Sequence, residues 1–117
     1  QNFQQQKLSS GEYLYESVLA QVATWGTAEQ IMFVVGATQS EYFERIRKVV
    51  PDHFLLIPGV GAQGGQLTDL KSLMTPETGI LVNSSRQIIY ASSGGDFAEA
   101  SAHEAEKLQI QMSEMMV

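Results

Sequence analysis

Three short runs of consecutive apolar residues constrain the fold of this chain most strongly. They are Ile31–Val35, Phe54–Ile57 and Ile80–Val82. Each run has the length of a strand and lacks the alternation of a half-buried strand, a pattern typical of strands covered on both faces. We therefore predict three strands of a parallel sheet that is buried between other layers.

The segment before the first run has the pattern of an amphipathic helix. Ser9 and Glu12 have the spacing of a capping box, which predicts that the helix begins there. Gly26 is a natural residue to end it. Its apolar positions recur at helical steps, and they are Leu14, Val18, Val22 and Trp25. Trp25 is expected to pack on this helix face rather than to stack on a ligand.

A second helix is predicted between the first and second runs. Thr38 and Glu41 form another possible capping box, and Pro51-Asp52 ends the pattern. A short helix from Leu67 to Leu73 and a turn from Thr75 to Gly79 precede the third run. The predicted buried face of the second helix consists of Phe43, Ile46 and Val50, flanked by Tyr42 and Val49.

The last predicted helix follows Asp96, which is placed to cap it. Its expected apolar side carries Ala98, Ala102, Ala105, Leu108, Met112 and Met115. The opposite, polar side carries Glu99, His103, Lys107 and Glu114. Met112, Met115 and Met116 read as a flexible apolar helix end, with contact to a partner subunit as the alternative.

Strands that alternate with helices predict an α/β fold with a parallel sheet. Three strands are too few for a closed barrel, since an eight-stranded βα barrel needs roughly 250 residues. The chain has 117 residues. It is therefore either a small open sheet or a part of a larger domain.

Composition excludes several classes of function. Thirteen acidic residues against seven basic ones give a net charge of −6, which disfavours binding to nucleic acid or to an anionic membrane. The absence of cysteine excludes disulfides and thiolate sites and fits a reducing compartment. No apolar run approaches the roughly 20 residues that cross a bilayer. The N-terminal segment resembles no signal peptide and lacks an initiator Met, so we expect a cytoplasmic piece of a longer protein.

The glycine-rich segment Ile57–Gly65 follows the second predicted strand directly. Its glycines are Gly59, Gly61, Gly64 and Gly65. Such residues let backbone N–H groups approach a ligand at the carboxyl end of a strand. The letters from Gly59 to Gly64 match the dinucleotide fingerprint, but no acidic residue ends the next strand, so that interpretation is rejected. The alternative to a ligand loop is a flexible connector.

The segment Val82–Arg86 follows the third predicted strand. Arg86 carries a permanently charged, forked donor that suits phosphate. The alternative is a surface arginine in a salt bridge. Because successive parallel strands end at the same edge of a sheet, the glycine-rich segment and Arg86 together predict a phosphate site. Ser84 and Ser85 have no recognisable base beside them and are poor candidates for nucleophiles. His53 and His103 lack partners at metal-ligand spacing, so no metal site is predicted.

Two longer stretches, Leu56–Gly65 and Leu81–Ala91, together resemble the orotidine 5′-phosphate decarboxylase family, most closely its bacterial branch with longer chains. Val34–Thr38 is similar to the sixth strand of that family and its loop, and the likeness runs from about Gly11 to Ala91. The resemblance implies a (β/α)8 TIM barrel. Residues 1–117 would form the C-terminal part of this single domain, with strands six to eight, and the N-terminal half would lie outside the chain.

The resemblance also implies roles for four residues. Pro58 would lie beside the pyrimidine, and Gln63 would reach toward the phosphate and the base. Ser85 would present its backbone N–H to the phosphate, and Arg86 would bind the phosphate. Gln66 departs from the Asp that often follows Gly-Gly in the family, at a position outside the gripping atoms.

The family converts orotidine 5′-phosphate to UMP and carbon dioxide without a cofactor. It uses an Asp-Lys-Asp-Lys network from early strands and an Asp from the partner subunit of a homodimer. Lys7, Lys48 and Lys71 lie outside any matching strand-end motif, so no catalytic residue is expected in this chain. The chain alone should grip substrate without transforming it. Two alternatives stay open: another phosphate-binding barrel enzyme, and a non-enzymatic half-barrel that dimerises, which its open edges disfavour.

Overall fold

A three-stranded parallel sheet lies at the centre of the computed structural model, which describes residues 3–61 and 64–116. Its strands are β1 (Phe33–Val34), β2 (Leu55–Pro58) and β3 (Ile80–Asn83), in the order β1-β2-β3. Leu55 of β2 pairs with Phe33 on one side and with Ile80 on the other. The predicted α/β fold with three parallel strands and covering helices is confirmed.

Helices precede, connect and follow the strands. Two 3₁₀ helices are present besides the α-helices. One spans Ser40–Tyr42, and the other, Leu67–Leu73, coincides with the predicted short helix. The predicted turn between Thr75 and Gly79 is present, with the Thr75 N–H donating to the Thr78 carbonyl at 3.3 Å. The α-helices are α1 (Leu14–Ala23), α2 (Phe43–Val49), α3 (Ser85–Ile89) and α4 (Phe97–Met115).

Both predicted capping boxes are wrong. The first helix begins after Tyr13, whose N–H donates to Glu16 Oε2 at 2.8 Å, while Glu12 accepts a hydrogen bond from Ser10 instead. In the second case a 3₁₀ turn begins at Ser40 and leads into α2. The Ser/Thr-x-x-Glu spacing found an acidic residue near the start of each helix. It could not show at which residue the helical backbone begins, and therefore which N–H groups need a capping side chain.

The helix-covered face of the sheet holds the core. Phe43, Ile46 and Val50 are buried as predicted, with Tyr42 and Val49 partly buried beside them. The fully buried side chains beneath the helices include Leu55, Ile57, Leu70 and Leu73.

The other face of the sheet is open in the described part of the chain. Val34 is 66% exposed and Leu81 is 52% exposed. Within the described residues the helices that contribute to the core pack on the other face, so the predicted burial on both faces is not met for these two residues in this chain by itself. No helix among the described residues is long and apolar enough to cross a membrane.

The predicted apolar face of α1 is only partly correct. Val18 is 52% exposed, whereas Tyr15 and Leu19 pack against the core. Glu16 points toward α2, where Arg45 donates to it with two hydrogen bonds of 2.8 and 2.9 Å, and this fixes the rotation of α1. Trp25 is exposed because the helix ends at Ala23, so the prediction that it packs on the helix face is wrong.

The last helix, α4, is rotated relative to its predicted face. Leu108, Met112 and Met115 pack against the core as predicted. Ala98, Ala102 and Ala105 are exposed, and in their place Ser101 donates to the Ile88 carbonyl at 2.7 Å. The predicted polar side, made of Glu99, His103, Lys107 and Glu114, is exposed. Asp96 directly precedes the helix, although its carboxylate accepts a hydrogen bond from Ser92.

A buried arginine, Arg47, fixes the entry to β2. It is 8% exposed and donates to the carbonyls of His53, two residues before β2, and of Leu73, at the end of the longer 3₁₀ helix. It also reaches the carbonyls of Val50 and Pro51. Burial lowers the pKa of the Arg47 guanidinium, and no carboxylate is among these partners. The side chain therefore ties α2 to both ends of the segment that carries the glycine-rich loop.

Candidate anion-binding site

The ends of β2 and β3 meet around a small cavity of about 40 Å³. Pro58 pairs with Asn83, and the Gly59 N–H donates to the Asn83 carbonyl at 3.3 Å. The structure thus brings together three of the predicted substrate-binding residues. The lining residues are Pro58, Gly59, Val60, Asn83, Ser84, Ser85 and Arg86.

The glycine-rich loop, residues 59–65, is folded on itself. The Gly61 N–H donates to the Gly65 carbonyl at 2.9 Å, and the Gly64 N–H donates to the Gly61 carbonyl at 2.8 Å. Gly59, Gly61 and Gly64 have φ between 79° and 92°, where side-chain-bearing residues are rarely found. The described glycines on either side of residues 62–63 are thus joined by hydrogen bonds.

Close packing also requires the glycine at position 65. A Cβ on Gly65 would clash with the Ala37 Cβ and lie 2.9 Å from the Gly59 carbonyl oxygen. A Cβ on Gly61 would meet Oε1 of Gln87, the end of an exposed side chain on α3. The loop is therefore held between the loop after β1 and helix α3. Gln63, predicted to reach the ligand, lies with Ala62 outside the described residues, so its role stays a prediction.

Ser85 and Arg86 are the first two residues of α3, and both are exposed at the cavity. The first N–H groups of a helix have no partner within it and can meet an external acceptor. Asn83 Nδ2 donates to Ser85 Oγ at 3.1 Å, which orders the chain between β3 and α3. Within residues 3–61 and 64–116 the two ion pairs involve Arg45 and Lys107, so no salt bridge occupies Arg86 there.

Sequence reasoning missed the role of Ser84 and considered it only as a nucleophile. This side chain is 5% exposed, and its Oγ donates to the Val60 carbonyl at 2.9 Å. It lies 3.4 Å from Oε1 of Gln87. Ser84 therefore joins the glycine-rich loop to α3 beneath the cavity. A small hydroxyl residue between a strand and a helix was the available signal, but its partner lies 24 residues away.

Neither histidine has a metal-like environment. His53 is buried with its ring 5.3 Å from that of Phe33, and His103 is exposed on α4. Among the residues that the structure describes, no group of three or more His, Asp or Glu side chains could hold a metal ion.

A second, larger groove of about 420 Å³ runs along β1, the first strand of the three-stranded sheet. Val34 of β1 and the following Val35 line it together with Leu14, Val18 and other side chains before and on α1. Its lining is mainly apolar and offers no cationic group. Of these two cavities, the smaller one between the ends of β2 and β3 has a cationic side chain, Arg86, in its lining.

Comparison with known proteins identifies sequence relatives. No family model matches the chain. The orotidine 5′-phosphate decarboxylase of Flavobacterium johnsoniae is 52% identical over 109 residues, which are 92% of this chain and 40% of that protein. The same enzyme of Phocaeicola vulgatus is 49% identical over 116 residues, 98% of this chain and 43% of that protein. The chain thus spans about 40% of the length of these relatives.

Solved structures show the same relationship. A putative orotidine-monophosphate decarboxylase from Toxoplasma gondii matches with a TM-score of 0.71 and 25% identity, over 97% of this chain and 46% of that one. A putative orotidine-monophosphate decarboxylase from Plasmodium yoelii matches with a TM-score of 0.69 and 29% identity, over 94% of this chain and 36% of that one. The resemblance seen in the sequence is confirmed, and the sheet and its helices correspond to a fraction of the barrels of such enzymes.

Proposed function

We propose that the protein is an orotidine 5′-phosphate decarboxylase, a carboxy-lyase that converts orotidine 5′-phosphate to UMP and carbon dioxide in pyrimidine biosynthesis, and that this chain grips the phosphate. One observation carries the proposal. The start of the glycine-rich loop after β2, Gly59 and Val60, and Arg86 after β3 line one cavity in a chain whose sequence relatives bear that enzyme's name.

The chemistry of the cavity suits a phosphate monoester. Arg86 offers a forked cation that is not engaged by a described carboxylate, and charged hydrogen bonds of this kind are among the strongest that proteins make. The backbone N–H of Ser85 lies beside it in the first turn of α3. We assign the phosphate to these two groups, beside the glycine-rich loop, the pyrimidine to the neighbourhood of Pro58, and a bridging role to Gln63. The N–H groups of Gly59, Gly61, Gly64 and Gly65 already donate within the chain, so these glycines shape the cavity in this proposal and do not donate to the phosphate.

The reacting carbon is served by groups outside this chain. We propose that residues 1–117 supply strands six to eight of a single (β/α)8 domain, and that the N-terminal half brings the Asp and Lys network. The open sheet face with exposed Val34 and Leu81 supports this division, since apolar strand residues favour a covered position. We further propose a cytoplasmic homodimer, whose partner subunit contributes the remaining Asp.

Phosphate contacts far from the reacting carbon can still accelerate the reaction. Binding energy gained there holds the substrate and the surrounding loops in the reactive arrangement. A preorganised set of charges in the N-terminal half can then favour the developing carbanion over the bound carboxylate. In this scheme the chain supplies grip and orientation, and no cofactor is required.

The decisive test is Arg86→Ala in the complete protein. We expect kcat/KM for orotidine 5′-phosphate to fall by roughly 30- to 150-fold, because a charge-assisted pair with the phosphate is worth about 2–3 kcal/mol. Arg45→Ala is the matched control, since it removes the same charge from α2 and should leave kcat/KM nearly unchanged. An unaltered kcat/KM in Arg86→Ala would contradict the assignment.

Two further assays separate the alternatives. Turnover of orotidine 5′-phosphate, compared with ribulose and indole-glycerol phosphates, distinguishes the decarboxylase from another phosphate-binding barrel enzyme. Intact masses of the purified sample test the division into halves. A companion N-terminal chain supports it, whereas a homogeneous 117-residue product with decarboxylase activity overturns it. A symmetric oligomer of the 117-residue chain without a companion supports the non-enzymatic half-barrel.

A further inference from the structure

A chain of polar side chains leads from α4 to the glycine-rich loop. Gln87 on α3 donates through Nε2 to Oε2 of Glu104 on α4 at 3.0 Å. Oε1 of the same amide lies 3.4 Å from Ser84 Oγ, and that hydroxyl donates to the Val60 carbonyl at 2.9 Å. The amide of Gln87 thus stands between a carboxylate on one side and the loop on the other.

Glu104 determines which way the Gln87 amide points. A carboxylate can only accept hydrogen bonds, so the NH₂ group must face it and Oε1 must face the loop. The other Glu104 oxygen, Oε1, pairs with Lys107 Nζ at 2.6 Å. Hydrogen bonds from Lys107 and then from Gln87 lower the pKa of Glu104, which keeps it a carboxylate at neutral pH. The orientation of the amide is therefore set by a persistent charge.

The amide oxygen of Gln87 is packed directly against Gly61. Oε1 of Gln87 occupies the space beside this glycine where a Cβ would otherwise lie. Ser84 holds the neighbouring residue, Val60, through its carbonyl. Two consecutive residues of the loop are thus fixed by two side chains of the β3–α3 segment.

Arg86 lies between these two side chains in the sequence. Ser84 precedes α3, and Arg86 and Gln87 are both in its first turn. A shift of the first turn of α3 against the loop would change the distance between Arg86 and the start of the loop, where Gly59 and Val60 line the cavity with it. Contacts that fix Gln87 and Ser84 against the loop therefore fix the width of the cavity in which the two groups meet.

We propose that Gln87, oriented by Glu104, is a positioning residue that sets the separation between the glycine-rich loop and Arg86 and thereby the affinity for the substrate phosphate. The inference rests on the proposed function and adds two residues to it. Neither side chain lines the cavity, so both act through the groups that do. Gln87 is exposed, so its loss removes a positioning contact rather than a part of the core.

The test is Gln87→Met in the complete protein, which keeps the length of the side chain and removes the amide. We expect KM for orotidine 5′-phosphate and Kd for UMP to rise about 10-fold, while kcat changes less than about 2-fold, as for loss of uniform binding. The Kd for uridine, which lacks the phosphate, should not change. Gln109→Met is the matched control, because that exposed amide bonds only within α4 and its loss should alter none of these constants.

Glu104→Ala provides an independent variant. It should raise KM in the same direction, by roughly 3- to 10-fold. The double variant with Gln87→Met should be no worse than Gln87→Met alone, because coupled residues are not additive. Glu104→Gln, which retains an acceptor for the amide, should recover most of the affinity.

The possible failures are distinguishable. If UMP affinity is unchanged in Gln87→Met and Glu104→Ala while Arg86→Ala is impaired, the inference is wrong and the proposed function stands. Equal weakening of uridine and UMP would indicate a general disturbance and would also overturn the inference. If the unaltered protein fails to decarboxylate orotidine 5′-phosphate, the proposed function itself is wrong.

Discussion

The two faces of the sheet are built from the same kinds of residues and have opposite environments. On the helix-covered face Leu55 and Ile57 are fully buried. On the other face Val34 and Leu81 are largely exposed, although they are as apolar as their neighbours. A sheet that presents one face to water normally alternates apolar and polar residues. The continuous apolar strands therefore carry the pattern of a sheet covered on both faces, which supports the proposal that further barrel strands enclose the open one.

The largest effect on the free energy of unfolding should come from truncating a side chain on the helix-covered face. Leu55→Ala removes a fully buried side chain of the central strand and should lower the free energy of unfolding by about 4 kcal/mol, through lost transfer energy and a cavity. Leu81→Ala is the matched variant on the open face. If the complete protein covers this face, Leu81→Ala should cost about 2 kcal/mol. Urea unfolding of the complete protein measures both, and a value near zero for Leu81→Ala would contradict a covered second face.

The next effect tests a polar contact on the covered side. Arg47→Met keeps the apolar stem but leaves the buried carbonyls of Leu73 and His53 without their donor. We expect a loss of about 3 kcal/mol in the free energy of unfolding, because buried carbonyls that lose their partner carry a desolvation cost. Arg45→Met, on the same helix with its side chain 46% exposed, should cost no more than about 1 kcal/mol. Similar losses in the two variants would show that Arg47 does not hold the segment together.

Local patterns predicted the elements that depend on neighbouring residues. The three strands, the turn before β3 and the buried positions Phe43, Ile46 and Val50 follow from apolar runs and helical periodicity. The rotation of α1 and α4 did not follow, because it depends on polar partners from other helices. Glu16 and Arg45 are 29 residues apart, and no local pattern joins them.

The sequence predicted where the candidate site lies better than it predicted the hydrogen bonds that support it. Parallel strand ends meet at one edge, so Pro58 and Arg86 could be brought together from the order of the elements alone. The contact of Ser84 with Val60 and of Gln87 with Glu104 could not, since one acceptor is a backbone carbonyl and the other lies on a different helix. Every residue has a backbone carbonyl, so the sequence does not indicate which carbonyl accepts a given hydrogen bond. The partners of Arg47 could not be predicted for the same reason.

The smallest effect concerns how α1 is attached to the covered side. Tyr15 and Leu19 attach α1 to the core by apolar contacts, and the ion pair between Glu16 and Arg45 adds a polar contact to α2. Hydrogen bonds from Arg45 are the main cause that lowers the pKa of Glu16 below its ordinary value of 4.5. A carboxylate with a lowered folded-state pKa stabilises the protein fully above the unfolded value, and this contribution is lost as the pH falls through the folded value.

We therefore expect Glu16→Gln to cost about 1 kcal/mol at pH 7 and progressively less as the pH falls below 4.5, where the unaltered protein loses the same contribution. Urea unfolding between pH 3 and pH 7 measures the difference between the two proteins. Glu44→Gln, an exposed position on α2, is the control and should show no such convergence. A cost for Glu16→Gln that stays constant across this range would mean that the charge of Glu16 does not stabilise the attachment of α1. Helix α1 would then be held by packing alone, like the rest of the covered face.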